Sequence, residues 1–245
     1  MRVFVCFDDT DTLDADRGTG KLVRWFAESV QERFPCWGVV RQQLLVHPDV
    51  PYTSHNSSAC AVLEAPADAV GMLAQEAAAH VARHFIDGSD PGVCVIAEND
   101  PAIPALVAFG RQAAVSLVSQ SDAFTAARGA HLSAHGGTGD GVIGAAAGVG
   151  LTHWGWSGRF IEFGGLRDWP DPVRIGDLEA ANMTVLPVDR NVVMPAPDDL
   201  LDTQGWLRPR LWGGRACVPV VHDGRGGWIA VTRHIDVRPP LVQDA

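Results

Sequence analysis

Residues 3–7 form an unbroken apolar run that stops at Asp8-Asp9-Thr10-Asp11, and apolar residues then return at Val23, Phe26 and Val30. The run predicts a strand buried on both faces, and the three- and four-residue spacing predicts a helix over 20–34. Apolar stretches at 37–46 and 58–65 predict two more strands. Pro66 suits a first helical position, and Val70, Leu73, Ala77, Val81 and Phe85 mark one helical face that ends before Asp87-Gly88. His80, Arg83 and His84 of that helix are expected to face solvent. With a short strand at 93–97, the order becomes β-α-β-β-α-β, that of a ferredoxin-like unit.

A third helix is expected from about Pro104 to Ala127, then a strand at 131–134, a glycine-rich loop and a helix of very small residues at 142–149. Past Trp154 the pattern turns to short strands, at 159–163, 182–187, 216–221 and 228–232, among dense Pro and Gly. Residues 189–210 read as a long surface connection and 239–245 as a frayed tail. The expected fold class is therefore α/β (α+β), with a core over 1–180 and a β-rich extension over 181–245.

Composition narrows the setting. With 47 % hydrophobic residues in a chain of 245, a full core is available. No apolar stretch is long enough to span a membrane, and the amino terminus enters a strand instead of a leader, so a cytoplasmic location without membrane contact is expected. Cys6, Cys36, Cys60, Cys94 and Cys217 are odd in number and scattered, which opposes a disulfide framework and a zinc ribbon and predicts buried thiols. A net charge of −10 opposes tight binding of nucleic acid by the isolated chain and favours a small charged substrate. An oligomer is compatible with all of this.

The candidate chemistry starts where the first strand ends. Asp8, Asp9 and Asp11 repel one another unless a cation compensates them, and Mg²⁺ takes such oxygen ligands together with phosphate oxygens. Arg17-Gly18-Thr19-Gly20-Lys21 follows at the start of a helix, whose N–H groups attract anions. A solvated acidic turn fits the same residues. Gly136-Gly137-Thr138-Gly139-Asp140-Gly141 allows successive N–H groups to face an anion, but it lacks the Lys-Ser/Thr of a P-loop and also fits a tight turn before a close-packed helix. The polar segment from His47 to Ser58, with Tyr52, His55 and Asn56, reads as a substrate-binding loop or a structured surface loop. Trp154 and Trp156 fit either ring stacking or buried packing.

Taken in order, Phe7-Asp8-Asp9-Thr10-Asp11 with Gly18-Thr19, His47-Pro48-Asp49-Val50-Pro51-Tyr52 through Asn56, Asp90-Pro91-Gly92, and residues 139–150 make the chain resemble the archaeal isoleucine-tRNA agmatidine synthetases. The resemblance covers about 1–163. It implies a kinase-like lobe beside the ferredoxin-like element, Mg²⁺ and ATP as cofactors, and Asp8, Asp9 and Asp11 as catalytic or metal-binding groups. It also implies self-phosphorylation at Thr19. The chain departs from the family at Gly20, where a second Thr is expected, and at His55-Asn56-Ser57, where Arg-Gly-Asn is expected. The segment after about Trp212 is too short for the family's OB domain and zinc ribbon, and supplies only Cys217 as a thiolate.

The expected function is Mg–ATP-dependent phosphoryl transfer to a small-molecule acceptor. Asp8, Asp9 and Asp11 would place the metal, Thr19 would join the catalytic set, and Arg17, Gly18, Lys21, Gly136, Gly137, Thr138, Gly139 and Gly141 would enclose the phosphates. His47, Tyr52, His55 and Asn56 would contact substrate. The alternatives are a nucleotide- or metabolite-binding regulator without turnover, and an ATP-dependent C–N ligase or tRNA-modifying enzyme that needs a partner.

Overall fold

The computed structural model describes residues 1–50, 56–189 and 193–232. Tyr52, His55 and the expected tail at 239–245 lie outside these residues. The chain divides into two compact units, one from Met1–Leu166 with Arg210–Ala216 and one from Arg167–Pro209 with the residues from Cys217 onward.

The first unit begins β1 (Arg2–Asp8), α1 (Thr19–Val30), β2 (Cys36–Gln43), β3 (Ser57–Glu64), α2 (Val70–His84) and β4 (Gly92–Ala97). β1 pairs antiparallel with both β3 and β4, and β3 pairs antiparallel with β2. The strand order β4-β1-β3-β2 is that of the expected β-α-β-β-α-β unit. It continues with α3 (Ile103–Ala113), α4 (Gln120–Ala126), β5 (His131–Ala134), α5 (Gly141–Trp154), β6 (Arg159–Glu162) and, after an excursion through the second unit, β10 (Arg210–Trp212). β5 extends the sheet beyond β4, and β6 and β10 extend it beyond β2.

Helices cover both faces of this sheet, which is why β1 needs an uninterrupted apolar run. Val3, Val5 and Phe7 point into the core shared with α1 and α2, while Phe4 and Cys6 point into the core shared with α3 and α5. The small residues of α5 permit unusually close packing. A Cβ on Gly148 would lie 2.4 Å from Cys6 Sγ, and one on Gly150 would lie 1.9 Å from the Leu106 carbonyl oxygen of α3. The helix has no polar stripe, because residues on every side of it are buried.

Two expectations need correction here. The single helix at 104–127 is two, α3 and α4, separated by residues 114–119. Ser119 accepts from the Asp122 N–H and Asp122 accepts from Ser119, a capping box that starts a new helix. His80 is not solvated: it is 4 % exposed, with its Nε2 3.0 Å from the Leu22 carbonyl oxygen. Trp154 and Trp156 both retain surface exposure instead of packing fully inside. Cys6, Cys60, Cys94 and Cys217 are buried free thiols, and Cys36 is half-buried.

The second unit contains β7 (Val173–Arg174), α6 (Ile175–Ala180), β8 (Met183–Pro187), β9 (Leu200–Asp202), most of β11 (Arg215–His222) and β12 (Trp228–Ala230). β12 lies between β11, to which it is antiparallel, and β9, to which it is parallel. The expected surface connection at 189–210 therefore holds a paired strand, and its Leu201 and Leu207 are buried. No helix among the described residues is long and apolar enough to cross a membrane.

Candidate active site

A cavity of about 510 Å³ opens where β1 ends, bordered by the starts of α1 and α5 and by the segment after β2. Its described lining includes Asp8, Asp9, Asp11, Asp49, Asp90 and Asp140, with no Lys, Arg or His, facing an apolar wall of Leu44, Leu45, Leu117, Val118 and Ile143. The first three aspartates arrive there because β1 stops at Asp8 and Asp9 turns the chain at φ 50°, a left-handed conformation that Asp tolerates better than bulky residues.

Asp8 sits against α5 at a position that only glycine permits. A Cβ on Gly144 would lie 1.7 Å from Asp8 Oδ2. Burial, reinforced by the neighbouring charge of Asp9, pushes the Asp8 carboxyl up to about 8. Burial followed by the charges of Asp90, Asp11 and Asp140 pushes Asp9 up to about 6. The cavity is thus short of positive charge.

Asp11 has a different task. Its Oδ1 accepts the backbone N–H of Thr19 at 3.0 Å and the Thr19 hydroxyl at 2.9 Å. Thr19 is the first residue of α1 and is 7 % exposed; its Oγ1 also accepts from the Thr10 N–H at 3.3 Å and lies 3.1 Å from Thr10 Oγ1. Gly18 occupies the N-cap position and has no side chain to cap with, so the carboxylate from the preceding loop caps the helix.

The glycine loop folds around a side chain of its own protein. Thr138 donates its N–H and its hydroxyl to the two Asp90 oxygens, at 2.5 and 2.9 Å. A Cβ on Gly137 would overlap Asp90 Oδ1, and one on Gly141 would lie 2.2 Å from the Asp90 carbonyl oxygen. Gly139 turns the loop at φ 83°, and Gly136 packs near Pro91. The N–H groups of Thr138, Gly141, Val142 and Ile143 all have acceptors within the protein. Gln120 of α4 ties this loop down, donating to Asp140 Oδ1 at 2.6 Å and to the Thr138 carbonyl at 3.0 Å.

The remaining expected site residues are spread around this centre. Asn56 lines the cavity and donates to the Leu45 carbonyl at 2.7 Å, while its own carbonyl accepts from Leu44. His47 accepts from the Asp49 N–H, and Asp49 and Val50, not His47, line the cavity. Arg17 donates to Asp16 and to the His84 carbonyl, and Lys21 extends over Trp25 with 5.1 Å to the ring centroid; neither lines the cavity. Arg41 was not singled out in the sequence. It donates to the lining residue Ser57 at 2.7 Å, and burial lowers its basicity while the Asp11 charge opposes that effect. Its signal was a cation inside the apolar stretch Gly38 to Val46.

Among the described residues no three His, Cys, Asp or Glu side chains converge into a ready-made metal cage. Mg²⁺ does not need one, since it keeps several waters and takes one or two carboxylates together with substrate phosphates. The two carboxyls held above their ordinary range are suited to such an ion.

No family model and no curated protein matches the chain. Solved structures do. The crystal structure of TiaS in complex with an isoleucine tRNA and ATP superposes with a TM-score of 0.53 at 25 % identity, over 61 % of this chain and 36 % of that one. A tRNA fluorescent labeling enzyme gives 0.50 at 27 % identity, again over 61 % and 36 %. Apo TiaS, the isoleucine-tRNA agmatidine synthetase, gives 0.49 at 26 % identity, over 61 % of this chain and 35 % of that one. The chain therefore contains a TiaS-like α/β region, matching little more than a third of those proteins' length.

Proposed function

We propose that the aspartate cavity carries out Mg–ATP-dependent phosphoryl transfer. One observation carries this reading: a buried Thr19 hydroxyl, hydrogen-bonded to Asp11, lies at a helix start beside Asp8 and Asp9, in a region whose solved counterpart is an ATP complex. Asp8 and Asp9 would hold Mg²⁺, with Asp90 and Asp140 also in the cavity lining. The bound ion would neutralise phosphate charge and orient the γ-phosphoryl group. Asp11 already accepts the Thr19 hydroxyl proton. On attack, the Thr19 Oγ1–P bond forms, the bond from the γ-phosphorus to the bridging oxygen breaks, ADP leaves and the proton passes to Asp11. Arg41, hydrogen-bonded to the lining residue Ser57, offers a compensating charge for Asp11.

The acceptor beyond Thr19 is read as a small molecule, in keeping with the net charge of −10 and the acidic cavity walls. The tRNA in the solved TiaS complex supports a second reading, in which the chain modifies tRNA. Incubation with Mg–ATP plus either a metabolite mixture or tRNA, followed by mass spectrometry, separates them. ADP with a phosphorylated metabolite supports the first reading, and ADP with altered tRNA supports the second. ATP left intact in both mixtures overturns the transferase proposal and leaves a binding protein without turnover.

A further inference from the structure

β5 closes one end of the first unit's sheet, beside β4. His131 and Ser133 alternate along this edge on one face, with Leu132 turned toward the core on the other, and His135 follows just past the end of the strand. The Nε2 of His131 lies 2.9 Å from Ser133 Oγ, and the Nε2 of His135 lies 2.8 Å from the same oxygen. All three residues are half-buried, and none lines the aspartate cavity. A hydroxyl has one hydrogen and two lone pairs, so at most one ring accepts from Ser133 and at least one donates to it through Nε2–H. Partial burial lowers the basicity of both rings, and the neighbouring His131 adds to the effect at His135. Both effects favour the neutral ring, which is the form that ligates metals.

We propose that His131 and His135 bind a borderline divalent transition ion, of the Zn²⁺ or Cu²⁺ class, with Ser133 as a further oxygen donor and water completing the shell. Two imidazole nitrogens converging on one oxygen offer the softer donors that such ions select, whereas the aspartate cavity offers only oxygen and suits Mg²⁺. Binding needs a tautomeric rearrangement. Each ring that donates through Nε2 shifts its proton to Nδ1, freeing the Nε2 lone pair, so no net proton is released. The edge position lets an ion arrive without opening the core.

The test is a Cu²⁺ titration of the full chain in excess Mg²⁺, followed by electron paramagnetic resonance. The expected result is one saturable site coupled to two nitrogens. His131→Ala or His135→Ala should weaken binding roughly tenfold or more and remove the two-nitrogen pattern, while Ser133→Ala weakens binding but keeps it. Circular dichroism establishes that each variant is folded. In the unmodified chain, Zn²⁺ should shift the ring resonances of both histidines, a readout that requires no mutation. Absence of a two-nitrogen signal in the wild type, its persistence in both histidine variants, or unshifted ring resonances would each overturn the site.

Discussion

Asp11 Oδ1 accepts both the backbone N–H and the hydroxyl of Thr19, at 3.0 and 2.9 Å, so one carboxylate oxygen caps α1 and holds the proton of the proposed phosphoryl acceptor. The two roles are separable. Asparagine can still accept the N–H but is a poor proton acceptor, so Asp11→Asn should keep the fold and abolish labelling of Thr19 by Mg–ATP. Asp11→Ala should also lose the cap, at about 1 kcal/mol. Peptide mass spectrometry after incubation, with Thr19→Val as control, reads the first effect, and urea denaturation reads the second. Phosphate on Thr19 at wild-type level in Asp11→Asn would remove Asp11 from the transfer step.

Gly144 and Gly71 are both helical glycines, and alanine should act on them in opposite directions. At Gly144 the new Cβ would lie 1.7 Å from Asp8 Oδ2, so the carboxylate must move, with an expected loss of about 1–3 kcal/mol and of most ATP turnover. At Gly71 on α2 no described atom lies within 4 Å of the new Cβ, and reduced chain entropy should stabilise the fold by about 0.5–1 kcal/mol with turnover unchanged. Thermal melts and ADP release on the two variants make the comparison. Full turnover in Gly144→Ala would show that the position of Asp8 does not matter.

Periodicity located β1, α1, β2, β3, α2 and β4 because each buries a definite face or run, and sheet pairing then followed the expected order. It failed at 114–119, where Ala114, Val115, Leu117 and Val118 continue an apolar pattern through a break marked only by Ser119 and Asp122. It also failed at His80, which is three residues from Ala77 and so shares its buried face, although polarity suggested solvent. The clustered aspartates of the first loop were legible from their spacing. The place of Asp90 inside the glycine loop, although its Asp90-Pro91-Gly92 motif stood out, was not legible, nor were Gln120 across that loop and Arg41 beside Ser57, because each reaches its place through contacts distant in sequence.

Asp8 should weaken the metal-free protein as pH rises toward 8. Its carboxyl is raised to about 8 from an ordinary value of 3.8, so between those values the folded chain binds more protons than the unfolded one, and stability falls as pH rises. Asp8→Asn removes that penalty. Without Mg²⁺ the variant should be more stable than wild type by about 1–3 kcal/mol at pH 8 and nearly equal to it at pH 4, while losing ATP turnover. Urea denaturation at both pH values measures the difference. A variant less stable than wild type at pH 8 would mean that the Asp8 carboxylate is already compensated within the protein.

His80 should produce the opposite dependence. Burial, opposed in part by its contact with the Leu22 carbonyl and reinforced by the charges of His84 and Arg83, lowers its pKa from 6.5 to about 4. Between those values the unfolded chain binds the extra proton, so this residue's contribution to stability is complete above about 6.5 and is lost as pH falls toward 4. The ring is wedged between Phe7 and Phe26, with centroids 6.3 and 5.5 Å away, leaving a charged imidazole little access to water. The loss is expected to approach about 1.4 kcal/mol per pH unit at its steepest. His80→Gln keeps a donor toward Leu22 but cannot take up the proton, so the wild-type minus variant stability should decline as pH drops from 7 to 4. Because Asp8 and Asp9 titrate in both proteins, that difference isolates the histidine. A difference that stays flat across the range would place the His80 ring in contact with solvent.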